Sequence, residues 1–233
     1  MENQVRHLGV IMDGNRRWAR QHMFQSVMRG HEKGIDAFID CCKWCQEAGI
    51  RYLTVYAFST ENWRRSQEEV SGLFTLMKKF FQDEVHTCLE RDIRMVIIGD
   101  RSHFDEDTLN TIRRTEEMTK DCRSLYVQVA ISYGGRDEIV RAARKFAEDV
   151  RAGKTEPEQL TEDTFSGYLD TAGIPDIDLV IRTGGNRRLS NFFPWQTTYS
   201  EIWFTDILWP DFSQKDMKEA LDYYADIQIN QGK

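Results

Sequence analysis

Short apolar runs alternate along this chain with longer stretches of helical spacing. Residues 5–12 are apolar and few, which predicts a strand. From 31 to 48, Ile35, Phe38, Ile39, Cys42 and Cys45 recur at helical spacing. Residues 52–58 are β-branched and aromatic, a second strand. Residues 67–91 predict a long helix whose apolar face carries Val70, Leu73, Phe74, Met77, Phe80 and Phe81. Further strands are predicted at 94–98, 125–131, 179–181 and 202–204, and further helices at 105–119, 135–150 and 161–169. Ser213, followed three residues later by Asp216, marks the start of a last helix in the looser serine/acid form of the capping box.

Strands alternating with helices predict an α/β fold: one domain over 1–233 with a mostly parallel central sheet flanked by helices. Ligands of such sheets bind beyond the carboxyl ends of the strands. The segments following the strands are therefore informative. After the first comes Asp13-Gly14-Asn15-Arg16-Arg17-Trp18, and after the second Ser59-Thr60-Glu61-Asn62-Trp63-Arg64-Arg65. Later strands are followed by Ser132-Tyr133-Gly134-Gly135-Arg136 and by Arg182-Thr183-Gly184-Gly185-Asn186-Arg187-Arg188. Polar, glycine and arginine residues collect at one edge of the sheet.

Composition narrows the partners. The 233 residues are 40% hydrophobic and 30% charged, ordinary for a soluble globular chain. A net charge of −7 argues against a general nucleic-acid binder but permits a local basic pocket. No apolar run approaches the roughly 20 residues that span a bilayer. The start, Met1-Glu2-Asn3-Gln4-Val5-Arg6, lacks the signal-peptide pattern, so a cytoplasmic location is expected. Cys41, Cys42, Cys45, Cys88 and Cys122 are odd in number and read as free thiols; the CxxC at Cys42 and Cys45 lies within a helical pattern and reads as buried.

Guanidinium forks match phosphate oxygens in pairs, and glycines let backbone N–H groups approach an anion. Arg182, Arg187 and Arg188 flank a glycine pair, and Arg16 and Arg17 follow Gly14, so two basic clusters at one edge point to two anionic groups held close together. A diphosphate-rich site needs a cation, usually Mg²⁺. Asp13 is the candidate ligand, although Asp-Gly is also a common turn pair. Glu201 lies in an aromatic-rich segment, where a carboxylate must be paired or ligating. His31 at a helix start is either a cap or a phosphate and proton handler. Trp63 and the phenylalanines of the long helix suit either a core or the wall of an apolar tunnel.

The blocks Val10 to Ala19, Gly30-His31-Glu32-Lys33-Gly34, Tyr56 to Trp63, Tyr133-Gly134-Gly135-Arg136, Ile181 to Phe192 and Leu208-Trp209-Pro210-Asp211-Phe212 resemble, in order, undecaprenyl diphosphate synthase and related cis-prenyltransferases. The resemblance implies that isopentenyl diphosphate is condensed with an allylic prenyl diphosphate to give a polyprenyl diphosphate, expected to be undecaprenyl diphosphate-like. Asp13 would hold Mg²⁺ against the allylic diphosphate, cradled by Gly14, Asn15, Arg16, Arg17 and Trp18 and contacted by His31. Ser59, Thr60, Glu61, Asn62 and Trp63 would sit beside the reacting carbons, with Asp13, Asn62 and His31 catalytic and Arg65 assisting the diphosphates. Arg182, Arg188 and Ser190 would bind isopentenyl diphosphate. Glu201 would complete the metal site, in this family often from the other subunit of a homodimer. A hydrophobic tunnel would run between the sheet and the long helix, and a long product implies peripheral contact with membrane lipid. The DDxxD motif of trans-type enzymes is absent: Asp105-Glu106-Asp107 is followed by Thr108-Leu109.

Several positions depart from the family pattern. Arg16 stands where glycine is common, and Val27 occupies a position, four before His31, where arginine is usual. Asn186 replaces a glutamate, Ser66 a proline, and Phe193-Pro194 an apolar pair. These departures leave two alternatives: a member making a short or irregular prenyl diphosphate, and a non-catalytic partner subunit.

Overall fold

Strands covered by helices on both faces are apolar at nearly every position, and this sheet follows that rule. The computed structural model describes residues 4–227; residues 1–3, which begin the N-terminal segment without a signal-peptide pattern, and 228–233 lie outside it. Its strands are β1 (His7–Ile11), β2 (Tyr52–Ser59), β3 (Ile93–Ile98), β4 (Leu125–Tyr133), β5 (Leu179–Arg182) and β6 (Glu201–Phe204). Every residue of β1 and β5 is buried. The order is β3-β4-β2-β1-β5-β6, and every neighbouring pair is parallel, so the expected mostly parallel sheet is parallel throughout.

Seven α-helices surround it among the described residues: α1 (Asn15–Gln21), α2 (Met28–Glu47), α3 (Gln67–Glu90), α4 (Glu106–Thr119), α5 (Gly135–Arg151), α6 (Glu162–Ser166) and α7 (Gln214–Asp226). Pattern reading missed α1, whose seven residues contain only two apolar side chains and present no periodic stripe. It also overextended α6, which stops at Ser166 instead of 169. Ser213 does cap α7, its backbone N–H and its hydroxyl both donating to Asp216 at 2.8 and 2.6 Å.

Alternation along the strands divides the interior. Val10 and Ile181 face the larger core with Phe38, Leu73, Phe81 and Met217, whereas Ile11 and Val180 face a smaller one with Tyr133, Phe192 and Phe193. Cys41, Cys42, Cys45 and Cys88 are buried free thiols, and burial raises the pKa of Cys42 and Cys45 far above that of an exposed thiol. No described helix is long and apolar enough to cross a membrane.

One polar chain crosses the sheet. His7 Nδ1 donates to the Pro175 carbonyl (2.7 Å), and its Nε2 meets the Thr54 hydroxyl (2.8 Å), which lies 2.9 Å from the Gln128 side-chain oxygen. Burial lowers the pKa of His7 from 6.5 to about 4, against the opposing pull of the Pro175 hydrogen bond and Asp178. Unfolded chains bind this proton first as the pH falls. Stability from His7 is therefore complete above pH 6.5 and drains away towards about pH 4, on the order of 3 kcal/mol in all. Urea midpoints measured across that interval should fall with acidity, and His7→Asn should flatten the slope; an unchanged slope would reject the assignment.

Candidate active site

Parallel register brings the two basic clusters together. Ile11 in β1 lies opposite Tyr56 in β2 on one side and Arg182 in β5 on the other. The chain leaves β1 for β2 and reaches β5 on its opposite flank, so the loops after these strands diverge around a crevice. Asp13, two residues beyond Ile11, meets Arg182 there: Nη2 donates to Oδ2 at 3.1 Å. Asn186 Nδ2 donates to the same oxygen at 2.8 Å, and Arg17 Nη2 donates to Oδ1 at 3.2 Å. Burial alone would raise the Asp13 pKa, but the hydrogen bonds from Asn186 and Arg182 and the nearby Arg17 charge outweigh it, and the net shift is downward.

Arg182 is only 4% exposed. Its Nη1 donates to Ser190 Oγ at 2.8 Å and to the Arg188 carbonyl, while Arg188 Nε donates to the same hydroxyl at 3.2 Å. The loop that supplies these partners is strained: Ser190, Asn191 and Phe193 have φ of 52°, 67° and 43°. Non-glycine residues persist in that region only where packing enforces it. Here Phe192 and Phe193 are fully buried, and Phe193 stacks on Tyr133 with centroids 4.1 Å apart. Gly184 is required by space as well as by its φ of +78°, since a Cβ would lie 2.4 Å from Arg17 Nη2 and 2.9 Å from the Asp13 carbonyl.

Two polar cavities meet at Asp13, Asn15, His31 and Arg65. The larger, about 650 Å³, reaches Ser59, Glu61, Asn62, Arg182, Arg188 and Ser190; the smaller, about 350 Å³, adds Gly14, Arg16, Arg17 and Arg20. Asn15 Oδ1, Arg16 Nε, His31 Nε2 and Arg182 Nε are buried without hydrogen-bond partners. Unsatisfied buried groups are costly, and four distributed over these two adjoining cavities mark a place built for polar ligands. Burial, reinforced by the Arg65 and Arg16 charges, lowers His31 to a pKa of about 4, so its ring is neutral near pH 7.

Beneath this polar floor lies an apolar chamber of about 90 Å³ between α2, α3 and the sheet. Met12, Asn15 and His31 line both spaces, so the chamber adjoins the polar cavities at these three side chains. Ile35, Phe38, Leu73, Met77, Phe80 and Phe81 form its wall, which makes these residues at once packed side chains and channel lining. Phe38 and Phe80 meet edge to face with centroids 5.6 Å apart, and both also line a second chamber of about 20 Å³ beyond.

Some expected site residues stand apart. Trp18 stacks on His22 and Phe24 and donates to Asp211 at 2.7 Å. Trp63 packs on Phe58 and Phe74 and donates to Ser132 at 3.0 Å; neither it nor Thr60 lines the polar cavities. Glu201 starts β6 opposite Leu179, which is itself opposite Leu8, at the amino end of the sheet. It is thus about 15 Å along the strand direction from Asp13, and one chain cannot bring the two together. Conversely, sequence reading overlooked Glu69, which is buried. Its Oε1 accepts from Arg65 at 3.2 Å, with Arg16 at 3.6 Å and His31 at 3.8 Å. The four-residue step from Arg65 to Glu69 was the available signal.

Comparison with known proteins supplies the context. Residues 11–232 match the prenyltransferase family model described as undecaprenyl diphosphate synthase. The isoprenyl transferase of Clostridium perfringens (strain 13 / Type A) is 43% identical over 223 residues, covering 96% of this chain and 88% of the relative. That of Aquifex aeolicus (strain VF5) is 42% identical over 219 residues, covering 94% and 92%. The crystal structure of lavandulyl diphosphate synthase from Lavandula x intermedia with dimethylallyl diphosphate superposes with a TM-score of 0.96 at 34% identity, over 100% of both chains. A probable undecaprenyl diphosphate synthase from Campylobacter jejuni gives 0.82 at 34% identity, over 99% of this chain and 100% of that one. With its basic crevice beside an apolar chamber and with these likenesses along nearly its whole length, the chain belongs to the undecaprenyl diphosphate synthase family of prenyltransferases.

Proposed function

We propose that this chain, as a single cis-prenyltransferase domain over 1–233, condenses isopentenyl diphosphate with an allylic prenyl diphosphate to give a (poly)prenyl diphosphate. The observation that carries this reading is an arginine-lined cavity adjoining an apolar one, with Met12, Asn15 and His31 on both walls. An allylic diphosphate has those two halves in the same order. Its diphosphate suits Gly14, Asn15, Arg16 and Arg17, with the unpartnered Arg16 Nε as a donor. Its prenyl tail suits the chamber below. Arg182, Arg188 and Ser190 then suit the isopentenyl diphosphate, leaving Ser59 and Asn62 between the two reactants.

The donor set fits Mg²⁺: the Asp13 carboxylate beside the arginines, with Glu61 elsewhere on the same cavity and substrate oxygens to complete the shell. Asp13 would hold the ion, whose charge would help neutralise the departing diphosphate. Among this chain's own groups, Arg17 and Arg65 stabilise the same charge as the allylic C–O bond breaks. Ser59 and Asn62 confine the isopentenyl double bond so that its electron pair forms the new C–C bond. A proton then leaves the condensed skeleton. Neutral His31, whose Nε2 makes no hydrogen bond and lies 3.8 Å from Glu69 Oε1, suits either accepting that proton or donating to a phosphate oxygen, according to its tautomer.

A second copy of the chain is part of the proposal, because only a partner's Glu201 would reach this site. The cytoplasm is the proposed location, with lipid contact when an apolar product departs. A second reading, a short or irregular product, is favoured by the small chamber and by the likeness to lavandulyl diphosphate synthase. An inactive partner subunit is disfavoured by the intact set of Asp13, Asn15, Arg17, His31, Arg182, Arg188 and Ser190.

Asp13→Ala should lower incorporation of labelled isopentenyl diphosphate by about 10³-fold or more. Circular dichroism should show a folded protein with a reduced melting temperature, since Arg182 loses its counter-charge; near-normal turnover would reject the site. Arg188→Ala should raise the KM for isopentenyl diphosphate about 10- to 100-fold with a smaller change in kcat, and an effect confined to the allylic substrate would reverse the assignment of the two pockets. Phe80→Ala should join the two apolar chambers and shift chromatographed products to longer chains; an unchanged distribution would show that the Phe38–Phe80 contact does not limit length.

A further inference from the structure

Asn186 departs from the family pattern and makes one side-chain contact that bears on the chemistry: Nδ2 donates to Asp13 Oδ2 at 2.8 Å. Arg182 Nη2 already donates to that oxygen at 3.1 Å. A carboxylate oxygen offers about two lone-pair sites, so Oδ2 is filled. Both donors are held in place: Arg182 is 4% exposed and tied to Ser190, and Asn186 is half-buried in the same loop. Oδ1 differs. It accepts only from Arg17, at a longer 3.2 Å and from a side chain that is 46% exposed. One lone pair on Oδ1 remains available. Among the described residues no group of three or more His, Cys, Asp or Glu side chains gathers to hold a metal ion.

We infer that Asn186 is a positioning residue: together with Arg182 it occupies Asp13 Oδ2, leaves Oδ1 as the one oxygen of that carboxylate open to a divalent cation, and so makes cation binding at Asp13 conditional on a diphosphate. The inference rests on the proposed prenyl-transfer site. Mg²⁺ asks for about six oxygens and is normally shared between one or two carboxylates and substrate phosphates. One carboxylate oxygen flanked by Arg17 and Arg182 is a poor ligand set by itself, even with the neutral Asn15 Oδ1 on the same cavity and Glu61 accepting from Asn191 at 3.2 Å. A diphosphate changes the balance twice, by adding oxygens and by drawing the surrounding guanidinium groups towards its own charge. A carboxylate at position 186 would behave otherwise. It would face Asp13 at hydrogen-bond range, and two like charges at that distance favour capture of a cation before substrate arrives.

Mn²⁺ retention by the folded protein in ultrafiltration tests this, with and without inorganic diphosphate. Wild type should retain little Mn²⁺ alone and retain Mn²⁺ and diphosphate together. Asn186→Asp should retain Mn²⁺ alone, at least about 10-fold more tightly than wild type. Asn186→Ala, which frees Oδ2 without adding charge, should raise retention by a smaller factor and decides the matter if the aspartate variant does not fold. Tight Mn²⁺ retention by wild type without diphosphate would overturn the inference, as would folded variants indistinguishable from wild type. Failure of the wild-type protein to retain diphosphate under any condition would instead sink the prenyl-transfer reading itself.

Discussion

A single ion pair joins the two halves of this site: the Asp13 carboxylate after β1 and the Arg182 guanidinium at the end of β5. A guanidinium buried to this degree costs several kcal/mol unless it is paired and fully hydrogen-bonded. Asp13, Ser190 and the Arg188 carbonyl meet that demand at Nη1 and Nη2, with Nε left unpaired, and this fixes where the loop after β5 must run. The loop's left-handed residues follow from the same demand, held by the burial of Phe192 and Phe193 behind them. Position and strain in this loop are thus consequences of one charge placed at one strand end.

Placement of that pair sets the polarity of the whole crevice. Around the two lining carboxylates, Asp13 and Glu61, stand Arg16, Arg17, Arg20, Arg65, Arg182 and Arg188, in a protein of net charge −7. Such a concentration of cations in a low-dielectric cavity is unfavourable when empty and favourable once anions enter. Glu69 relieves part of the repulsion from beneath, through Arg65 and more loosely Arg16. The polar floor ends at His31 and Asn15, and apolar side chains of α2 and α3 begin immediately below. This arrangement matches in order an anionic head followed by a hydrocarbon tail.

Much of the fold was legible because its causes are local. The strands announced themselves as short apolar runs, and α2, α3 and α5 by periodic stripes. α1 was hidden because its helical residues are mostly polar and take their purpose from the cavity rather than from the core. The arginine and glycine clusters were visible as motifs, and the structure brings Arg17 and Arg182 onto one carboxylate. Trp18 and Trp63 shared those motifs, yet their indoles serve packing and hydrogen bonds to Asp211 and Ser132. Glu69 escaped notice because a carboxylate one helical turn from an arginine looks like any surface pair until burial is known.

By itself the sequence determined the class of fold, the sheet edge that carries the chemistry, and the residue types present there, since these depend on periodicity and on the residues at the carboxyl end of each strand. Only tertiary structure decided the partners. The register of β1 against β5 put Asp13 beside Arg182, and the reversal of strand order around β1 opened the crevice between them. Level with Leu179 and Leu8, Glu201 was carried to the far edge by the same register. The packing of α2 on α3 turned phenylalanines that read as core into the wall of a chamber. Contacts between residues about 170 positions apart, as Asp13 and Asn186 are, have no local signature; they exist only once the sheet is assembled.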